Sequence, residues 1–440
     1  GSLLRHIAVM SITSSVGLMA VFAVDFVDMI FISMLGKAVL AAAVGYAGAI
    51  LFFTGSFGIG MAIAGGALVA RALGEGDASL AQRRATSSLI LGFLFGAVFS
   101  ALVWINITPL VSLLGATGET RDLAVHYMQI ILPSLPVLLV GVVGGAVLRA
   151  HGDARRAMNG LIIGGVVTAV LDPILIFGLH MELTGAAIAS IAARLTIAWV
   201  ALSAIHRFHG GFGRPSLPAI AADVRPVFVI ALPAILTQLA TPVGQAYVTR
   251  AMAEYGEEAV AGMAIVGRLT PVAFAVIFAL SGAVGPIIGQ NAGAKNTERV
   301  IGTFREAMLF TAAVTVLVSL ALFLLRAPLE WTFQLQSADT ARALVFLFAG
   351  PLSLLWYFNG VIFVANAAFN NLGHPFYSTM TNWGRHTFGT IPLVMVFSAW
   401  LGAPGVLIGQ AVGGVLFAGV SLVLAKKLLR SVSAEEVRPD

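Results

Sequence analysis

Of the chain's 20 acids, Asp25, Asp28 and Asp172 lie more than one turn inside long apolar segments. A carboxylate in the hydrocarbon layer of a membrane costs roughly 2.5 to 3.5 kcal/mol on insertion scales, so it ordinarily faces a polar cavity or a partner. Two or three carboxylates in one low-dielectric cavity cannot all stay ionised cheaply. Such a cluster can bind a proton, or it can hold a small hard cation among oxygen ligands. The residue types therefore indicate reversible cation binding, as ion-coupled transport requires.

Spacing along the chain predicts that these acids lie at one depth. Asp28 and Asp172 each lie about eight residues before the outer end of an apolar segment, which at 1.5 Å per residue is roughly 12 Å below the same surface. Ser190 enters the next segment to a similar depth. Asp25 precedes Asp28 by three residues and lies on nearly the same helix face. The alternative is that each aspartate caps a broken helix or pairs with a membrane arginine, for which Arg194, Arg268 and Arg385 are the candidates.

Composition places the chain in a membrane. Hydrophobic residues make up 59% of its 440 residues and charged residues only 10%, and the mean hydropathy is +0.96. Soluble domains carry about 25% charged residues. The basic residues form no continuous patch, which argues against nucleic acid as a partner. Cysteine is absent, so disulfides and thiol chemistry are excluded. No phosphate-binding loop or zinc-protease motif occurs, and we expect neither an enzyme nor a cofactor.

Runs of about 20 apolar residues predict spanning helices. We place twelve of them, at 7–34, 40–69, 86–113, 123–148, 157–179, 184–205, 227–252, 259–289, 303–325, 342–369, 376–398 and 404–425. With a cytoplasmic N-terminus, Lys and Arg divide roughly 17 to 5 in favour of the inner segments. That bias predicts that both termini are cytoplasmic.

Short motifs recur about 220 residues apart, which indicates two related halves. Leu35-Gly36 corresponds to Tyr255-Gly256, and Thr184-Gly185 corresponds to Pro404-Gly405. Because the repeat contains six helices, an even number, both halves keep the same orientation in the membrane. We therefore predict a six-helix lobe over 1–205, a Gly- and Pro-rich cytoplasmic linker over 206–226, a second six-helix lobe over 227–428 and a cytoplasmic tail over 429–440. His206 and His209 of the linker are expected to be solvated.

Four ordered motifs resemble those of the multidrug and toxic compound extrusion transporters. They are Val27-Asp28-Met29-Ile30-Phe31, Arg149-Ala150-His151-Gly152-Asp153, Leu171-Asp172-Pro173 and Gly289-Gln290-Asn291-Ala292-Gly293-Ala294. The resemblance covers nearly the whole chain and is nearest to the DinF-like bacterial branch. It implies an all-α, V-shaped pair of six-helix lobes that exports amphipathic, often cationic compounds in exchange for sodium or protons.

The resemblance also implies a coupling site in the first lobe. Its members would be Asp28, Asp172, Thr168 and Ser190, where Thr168 and Ser190 stand in the places of a family Asn and Thr. Both keep a side-chain oxygen, so these four residues could also hold Na⁺. Family members with a sodium site in the second lobe place acids in helices 7 and 10, and this chain has none there.

Two further departures affect the mechanism. Thr13 stands where the family often has a proline in helix 1, so a proline kink is not available. Asp25 stands where the family commonly has Asn, and this extra titratable group favours protons over sodium as the coupling ion.

The second half offers neutral polar side chains instead of acids. Asn359, Asn366 and Gln238 either line a substrate cavity or hold helices together by hydrogen bonds. We expect small amphipathic or cationic organic substrates, a monomer, and a location in the bacterial inner membrane. The alternative function is a flippase for a lipid-linked sugar, which would need the membrane arginines to meet phosphate.

Overall fold

The computed structural model describes residues 2–35, 38–114, 116–333 and 335–436. Throughout these ranges the regular secondary structure is helical. Every backbone polar group of a spanning segment must be satisfied inside the hydrocarbon layer, and a helix satisfies these groups within the segment itself. The predicted all-α membrane class is confirmed.

The first half of the chain forms eight helices within the described residues. They are α1 (Leu3–Met34), α2 (Ala38–Gly74), α3 (Ala78–Ile105), α4 (Ile107–Leu113), α5 (Gly118–Ile131), α6 (Leu135–Ala150), α7 (Ala154–Asp172) and α8 (Leu183–Phe208). A 3-10 turn at Leu132–Ser134 joins α5 to α6, and a π-helical turn at Pro173–Gly178 continues α7.

Ten more helices follow in the described part of the second half. They are α9 (Leu217–Ala253), α10 (Glu257–Ala273), α11 (Ala275–Gly293), α12 (Thr297–Leu324), α13 (Arg326–Thr332), α14 (Asp339–Leu347), α15 (Ser353–Asn371), α16 (Pro375–Gly384), α17 (Ile391–Leu401) and α18 (Ala403–Glu436). Further π-helical turns lie at Phe348–Leu352, between α14 and α15, and at Arg385–Gly389, between α16 and α17.

Eleven helical stretches in the described residues are long and apolar enough to cross a membrane. The segment predicted at 376–398 is the one of our twelve without such a helix, because the helix is interrupted at Thr390, between the π-helical turn Arg385–Gly389 and α17. The predicted span 342–369 is likewise interrupted, because Ala349 and Gly350 leave helical geometry just before Pro351. Hydropathy therefore locates the membrane segments but not the breaks within them.

The chain forms two compact units that do not coincide with simple halves. One unit contains Val16–Ile235, and the other contains the residues up to Ser15 and those from Leu236 onward. Helices α1 and α9 each contribute to both units. The lobe boundaries at 205 and 227 stay a prediction of the sequence.

The connector between α8 and α9 is shorter and more ordered than the predicted linker 206–226. Its irregular part covers only 209–216, since α8 continues to Phe208 and α9 begins at Leu217. Pro218, which has no backbone N–H, is tolerated there because the N–H groups of the first helical turn have no partner within the helix. Farther along, the buried carboxylate of Asp223 accepts hydrogen bonds from Ser87 Oγ at 2.6 Å and Arg83 Nη2 at 3.0 Å. These contacts fix the start of α9 to α3.

Candidate functional site

Helix α7 lies against α1 through glycines on both helices. A methyl group on Gly165 would lie 3.0 Å from Val24 Cγ2, and one on Gly17 would lie 3.0 Å from Leu161 Cδ1. Glycine lets neighbouring membrane helices approach closely. Residue numbers rise together along the two contacts, so α1 and α7 run in parallel.

The neighbouring face of α7 lies against α8. A methyl group on Gly164 would lie 2.7 Å from Ile197 Cδ1, and one on Gly160 would lie 3.5 Å from Val200 Cγ1. Here residue numbers fall on α8 as they rise on α7, so the two helices are antiparallel. Helix α7 therefore contacts α1 with one face and α8 with the adjacent face.

This arrangement brings the predicted α7 residues to the sector between the two contacts. Successive residues of an α-helix are about 100° apart. Thr168 follows Gly164, which faces α8, by one turn and so lies about 40° from it. Asp172 follows Gly165, which faces α1, by two turns and so lies about 20° from it. Both positions therefore lie on the sector of α7 between its contacts with α1 and α8.

The other predicted residues lie on the two neighbouring helices, α1 and α8. Asp28 follows Val24 by one turn, and the parallel register puts it level with the last turn of α7. Ser190, in the antiparallel register, comes opposite the stretch between Thr168 and Asp172. Asp28 and Ser190 thus come near the last two turns of α7, which contain Thr168 and Asp172, and a shared cation site stays a prediction.

Asp172 is completely buried, yet both of its carboxylate oxygens lack a hydrogen-bond partner among the described residues. Its side chain makes no capping hydrogen bond to the π-helical turn that follows. The next residue, Pro173, has no N–H to offer. Single π-helical turns occur frequently at functional sites. A buried carboxylate without donors is costly as an anion, so this position favours a bound proton or cation.

The remaining members of the site are less enclosed or already bonded. Asp28 is half-buried, and its Oδ1 also lacks a partner among the described residues. Thr168 donates to the Gly164 carbonyl at 3.2 Å, which leaves the lone pairs of its oxygen free. Ser190 is half-buried. The side chain of Asp25 lies outside the described residues.

A membrane arginine does not neutralise Asp172 in the described structure. Arg194, on α8, donates instead to Ser134 Oγ at 2.8 Å and to the Ile131 carbonyl at 3.4 Å. The side chain of Arg268 lies outside the described residues. In the described residues Asp172 therefore has neither a capping hydrogen bond nor Arg194 as a partner, and the alternative of a pair with Arg268 stays a prediction.

In the second half, Asn366 belongs to a buried hydrogen-bond network on α15 and α16. Its Oδ1 accepts from Asn382 Nδ2 at 3.2 Å, while Ser378 Oγ donates to Asn370 Oδ1 at 3.2 Å. Asn366 is only 7% exposed. Its contacts join helices, and its predicted part in a substrate cavity stays a prediction.

The other two polar residues singled out in this half differ from Asn366. Asn359 accepts a hydrogen bond through Oδ1 from Arg385 Nη2. Gln238, on α9, is half-buried. Both remain candidates for contact with a substrate.

A polar cluster between the end of α6 and the start of α7 was not anticipated. Asp153 caps α7, accepts from Arg156 Nη1 at 2.8 Å, and lies 2.7 Å from His209 Nε2. Burial opposes ionisation of Asp153, yet the hydrogen bonds from Arg156 and His209 hold the pKa of its carboxyl below the ordinary value. The expectation that His209 is solvated is wrong, because residues 56 apart in sequence meet here.

His151 completes this cluster by stacking on His209, with 4.5 Å between ring centroids. Burial, together with the neighbouring His209, lowers the pKa of His151 to about 4. The histidine therefore remains neutral at physiological pH. The sequence Arg149-Ala150-His151-Gly152-Asp153 is typical of a helix start capped by an aspartate, but nothing in it indicates that His209 is the distant partner of Asp153.

Apolar helices long enough to span a membrane, together with a buried carboxylate that has no partner among the described residues, define a multi-pass membrane protein. The family model described as MatE matches residues 14–174 and 233–396. The chain belongs to this family of multidrug and toxic compound extrusion transporters, so the resemblance seen in its motifs is confirmed.

Known relatives extend this assignment over the whole chain. An "FAD transporter" of Shewanella oneidensis is 28% identical, covering 97% of this chain and 95% of its own length. "Multidrug export protein MepA" of Staphylococcus haemolyticus is 23% identical, covering 88% of this chain and 84% of its own length. The crystal structure of the Vibrio cholerae MATE transporter VcmN in the bent form has a TM-score of 0.91 at 24% identity, covering 98% of both chains. The last of these comparisons shows that the fold is shared.

Proposed function

We propose that this MATE transporter exports its substrate in exchange for a cation that binds at Asp28 and Asp172. The observation that carries the proposal is the burial of the Asp172 carboxylate without a hydrogen-bond donor among the described residues, about 20° around α7 from Gly165, which packs against α1. A proton or a cation would neutralise this carboxylate. Thr168 and Ser190 would supply neutral oxygens beside it.

Cation binding can drive export only if the cation prefers one conformation of the transporter over another. The proposed site is formed by three helices, so its oxygens change their separation when α1 moves against α7 and α8. We propose that binding at Asp28 and Asp172 favours the arrangement in which α1 is drawn towards α7. Substrate would then be displaced from the first-half cavity.

A proton is the coupling ion that we propose, with Na⁺ as the alternative. Among the described residues, no group of three or more histidine and acidic side chains could hold a metal ion. Two carboxylates and two hydroxyls could still bind Na⁺, but a proton needs only one buried carboxylate. Asp25, a third acid that lies on the same helix as Asp28, would adjust proton affinity.

Two classes of substrate are supported by different relatives. The name of MepA supports amphipathic drugs, often cationic, as the sequence motifs imply. The name of the Shewanella relative supports a flavin dinucleotide, which is anionic, and that relative aligns over 97% of the chain. Half-buried Arg385 without a carboxylate partner among the described residues favours this second candidate. A lipid-linked sugar, which also bears phosphate, is a third candidate substrate.

We further propose a monomer in the bacterial inner membrane, with both termini in the cytoplasm. The bias of Lys and Arg towards the inner segments supports this orientation. Accessibility of a single cysteine, introduced at Ser431 near the C-terminus, would test it. Labelling of intact cells by a membrane-impermeant thiol reagent would overturn the orientation.

The experiment that tests the proposed function is transport by purified protein in liposomes. Export of ethidium and of FAD would be followed under an imposed pH gradient and then under an imposed Na⁺ gradient. Flux driven by the pH gradient alone supports proton exchange, and flux driven by Na⁺ alone replaces the proton by sodium at the same residues. Absence of flux under both gradients would contradict the proposal and favour the flippase.

A further inference from the structure

Arg385 holds a positive charge in the middle of a predicted membrane segment, 376–398. It begins the π-helical turn Arg385–Gly389, and its Nη2 donates to the side-chain oxygen of Asn359 on α15. Phe388, on the same turn, is 79% exposed, whereas Arg385 is half-buried. The guanidinium is thus directed towards α15 and away from the exposed side of the turn.

No carboxylate of the described residues forms an ion pair with Arg385. The described ion pairs of this half are those of Arg342 with Glu330 and Asp339, near the start of α14. A guanidinium carries five N–H donors in a planar fork. The neutral oxygen of Asn359 satisfies one of them and contributes no negative charge. An unneutralised charge at this depth is costly, and such residues mark functional sites.

The surroundings of the guanidinium are small and neutral. A methyl group on Gly414 of α18 would lie 3.5 Å from Arg385 Nη2, so the absence of a side chain at Gly414 leaves the guanidinium uncrowded. One turn before Arg385 are the amides of Asn382 and Asn366, which hydrogen-bond to each other. These amides are neutral, and no described carboxylate pairs with Arg385, so an approaching anion meets no like charge among the described residues.

We infer that Arg385, held by Asn359, is a subsite that binds the phosphate or carboxylate group of an amphipathic anion. The inference rests on the proposed export function, because it names the class of substrate that the transporter selects. A planar guanidinium fork binds either group through two parallel hydrogen bonds. The anion is either part of the exported molecule or the headgroup of a bilayer lipid, since both present the same chemistry.

Binding to the full-length protein in nanodiscs of neutral phosphatidylcholine tests this subsite without any ion gradient. Fluorescence anisotropy of FAD would be compared with that of riboflavin, which has the same ring system without phosphates. Wild type should bind FAD more tightly than riboflavin. Arg385→Ala should weaken FAD binding about 10- to 100-fold, the loss of one or two charged hydrogen bonds, and leave riboflavin binding unchanged.

A near-isosteric variant guards against a failure of Arg385→Ala to fold. Asn359→Asp supplies Arg385 with an internal carboxylate, so it should weaken FAD binding similarly while keeping or raising the thermal midpoint. Arg342→Ala removes an arginine that already has acidic partners, and it should bind FAD like wild type.

A second experiment distinguishes a lipid headgroup from a substrate as the anion bound at Arg385. Phosphatidylglycerol retained after delipidation would be counted by native mass spectrometry for wild type and for Arg385→Ala. Retention that depends on Arg385, with no FAD binding, identifies the lipid headgroup as the occupant. The subsite is rejected if wild type binds neither anion, or if both variants bind both anions like wild type. The binding experiments use no ion gradient. If coupled export is absent while anion binding depends on Arg385, the proposed coupling is rejected and the proposed subsite is retained.

Discussion

Gly165 of α7 lies directly against Val24 of α1, where a methyl group on the glycine would come within 3.0 Å of Val24 Cγ2. This contact sets the register of the two helices. In this register Asp28, one turn beyond Val24, comes level with the last turn of α7, which ends at Asp172. We propose that this approach of two helices assembles a two-carboxylate site from residues 144 positions apart in the sequence.

Enlarging Gly165 should uncouple the site without touching its acids. In Gly165→Leu the new side chain displaces Val24 and moves α1 from α7, which separates the carboxylates. We expect gradient-driven export to fall by about tenfold or more, since a misplacement of 1 Å can cost far more in a positioned site. The control is Gly48→Leu on α2, where no atom lies within 4 Å of the added carbon. Equal export by both variants would remove the helix contact from the mechanism.

Asp172 and Asp223 should respond oppositely to the same chemical change. Asp223→Asn weakens the contacts with Arg83 and Ser87 and should cost about 2–3 kcal/mol of stability. Asp172→Asn removes a carboxylate that has no partner among the described residues, so stability should stay equal or rise. Thermal unfolding in detergent, followed by tryptophan fluorescence, distinguishes the two. A large loss of stability in Asp172→Asn would mean that its carboxylate has a structural role.

Thr168 should matter more to the coupling ion than to the fold. Thr168→Val keeps the branched shape and removes the oxygen, whose described hydrogen bond is only to the carbonyl of its own helix. If Na⁺ is the ion, the loss of one neutral ligand should weaken Na⁺ activation about tenfold; if a proton is the ion, export should change less than threefold. Thr196→Val, one helix away and also bonded within its own helix, is the matched control.

The neutral His151 makes stability depend on pH. Its pKa is lowered by burial to about 4 in the folded protein, from an unfolded value of 6.5. The unfolded chain therefore takes up the proton first, so the stabilisation is complete above pH 6.5 and declines as pH falls towards 4. Allowing for its partial exposure, we expect a loss of about 1 kcal/mol between pH 7 and pH 5.

Replacing His151 by a ring that cannot titrate should remove this part of the pH dependence. His151→Phe keeps the stacking on His209 and should flatten the decline in thermal midpoint between pH 7 and 5. An unchanged pH profile would show that other groups govern acid sensitivity. Asp153 contributes only at lower pH: its pKa is held below the ordinary value, so its stabilisation is lost as pH falls below about 4.

The sequence predicted most of the spanning helices, because the membrane imposes their length, and the depth of the acids stays a prediction. Apolar length fixes a span, and the rise per residue fixes how far Asp28 and Asp172 lie from its end. Which face of α7 packs against α1 is determined by the glycine contacts of α7, and no periodicity in the sequence specifies these contacts. The π-helical turns after Asp172 and at Arg385 were likewise invisible, since they depend on tertiary packing.

Partners of charged groups were the least predictable feature. Arg194 was a candidate partner for an aspartate and instead binds Ser134, and His209 was expected in solvent and instead meets Asp153. Each pair joins residues about 60 positions apart, between elements whose contact follows from helix packing alone. A single sequence indicates which charges are costly, and only the fold shows what satisfies them.

The central claim is that Asp28 and Asp172 couple export to a cation gradient. The most direct measurement is substrate flux in liposomes that contain wild type, Asp28→Asn, Asp172→Asn or the exposed control Asp339→Asn. Flux is recorded under an imposed pH gradient and, if wild type shows none, under an imposed Na⁺ gradient. The account predicts gradient-driven flux in wild type and Asp339→Asn, and none above protein-free liposomes in the other two, all four proteins being folded. Normal flux by Asp28→Asn or Asp172→Asn would contradict it.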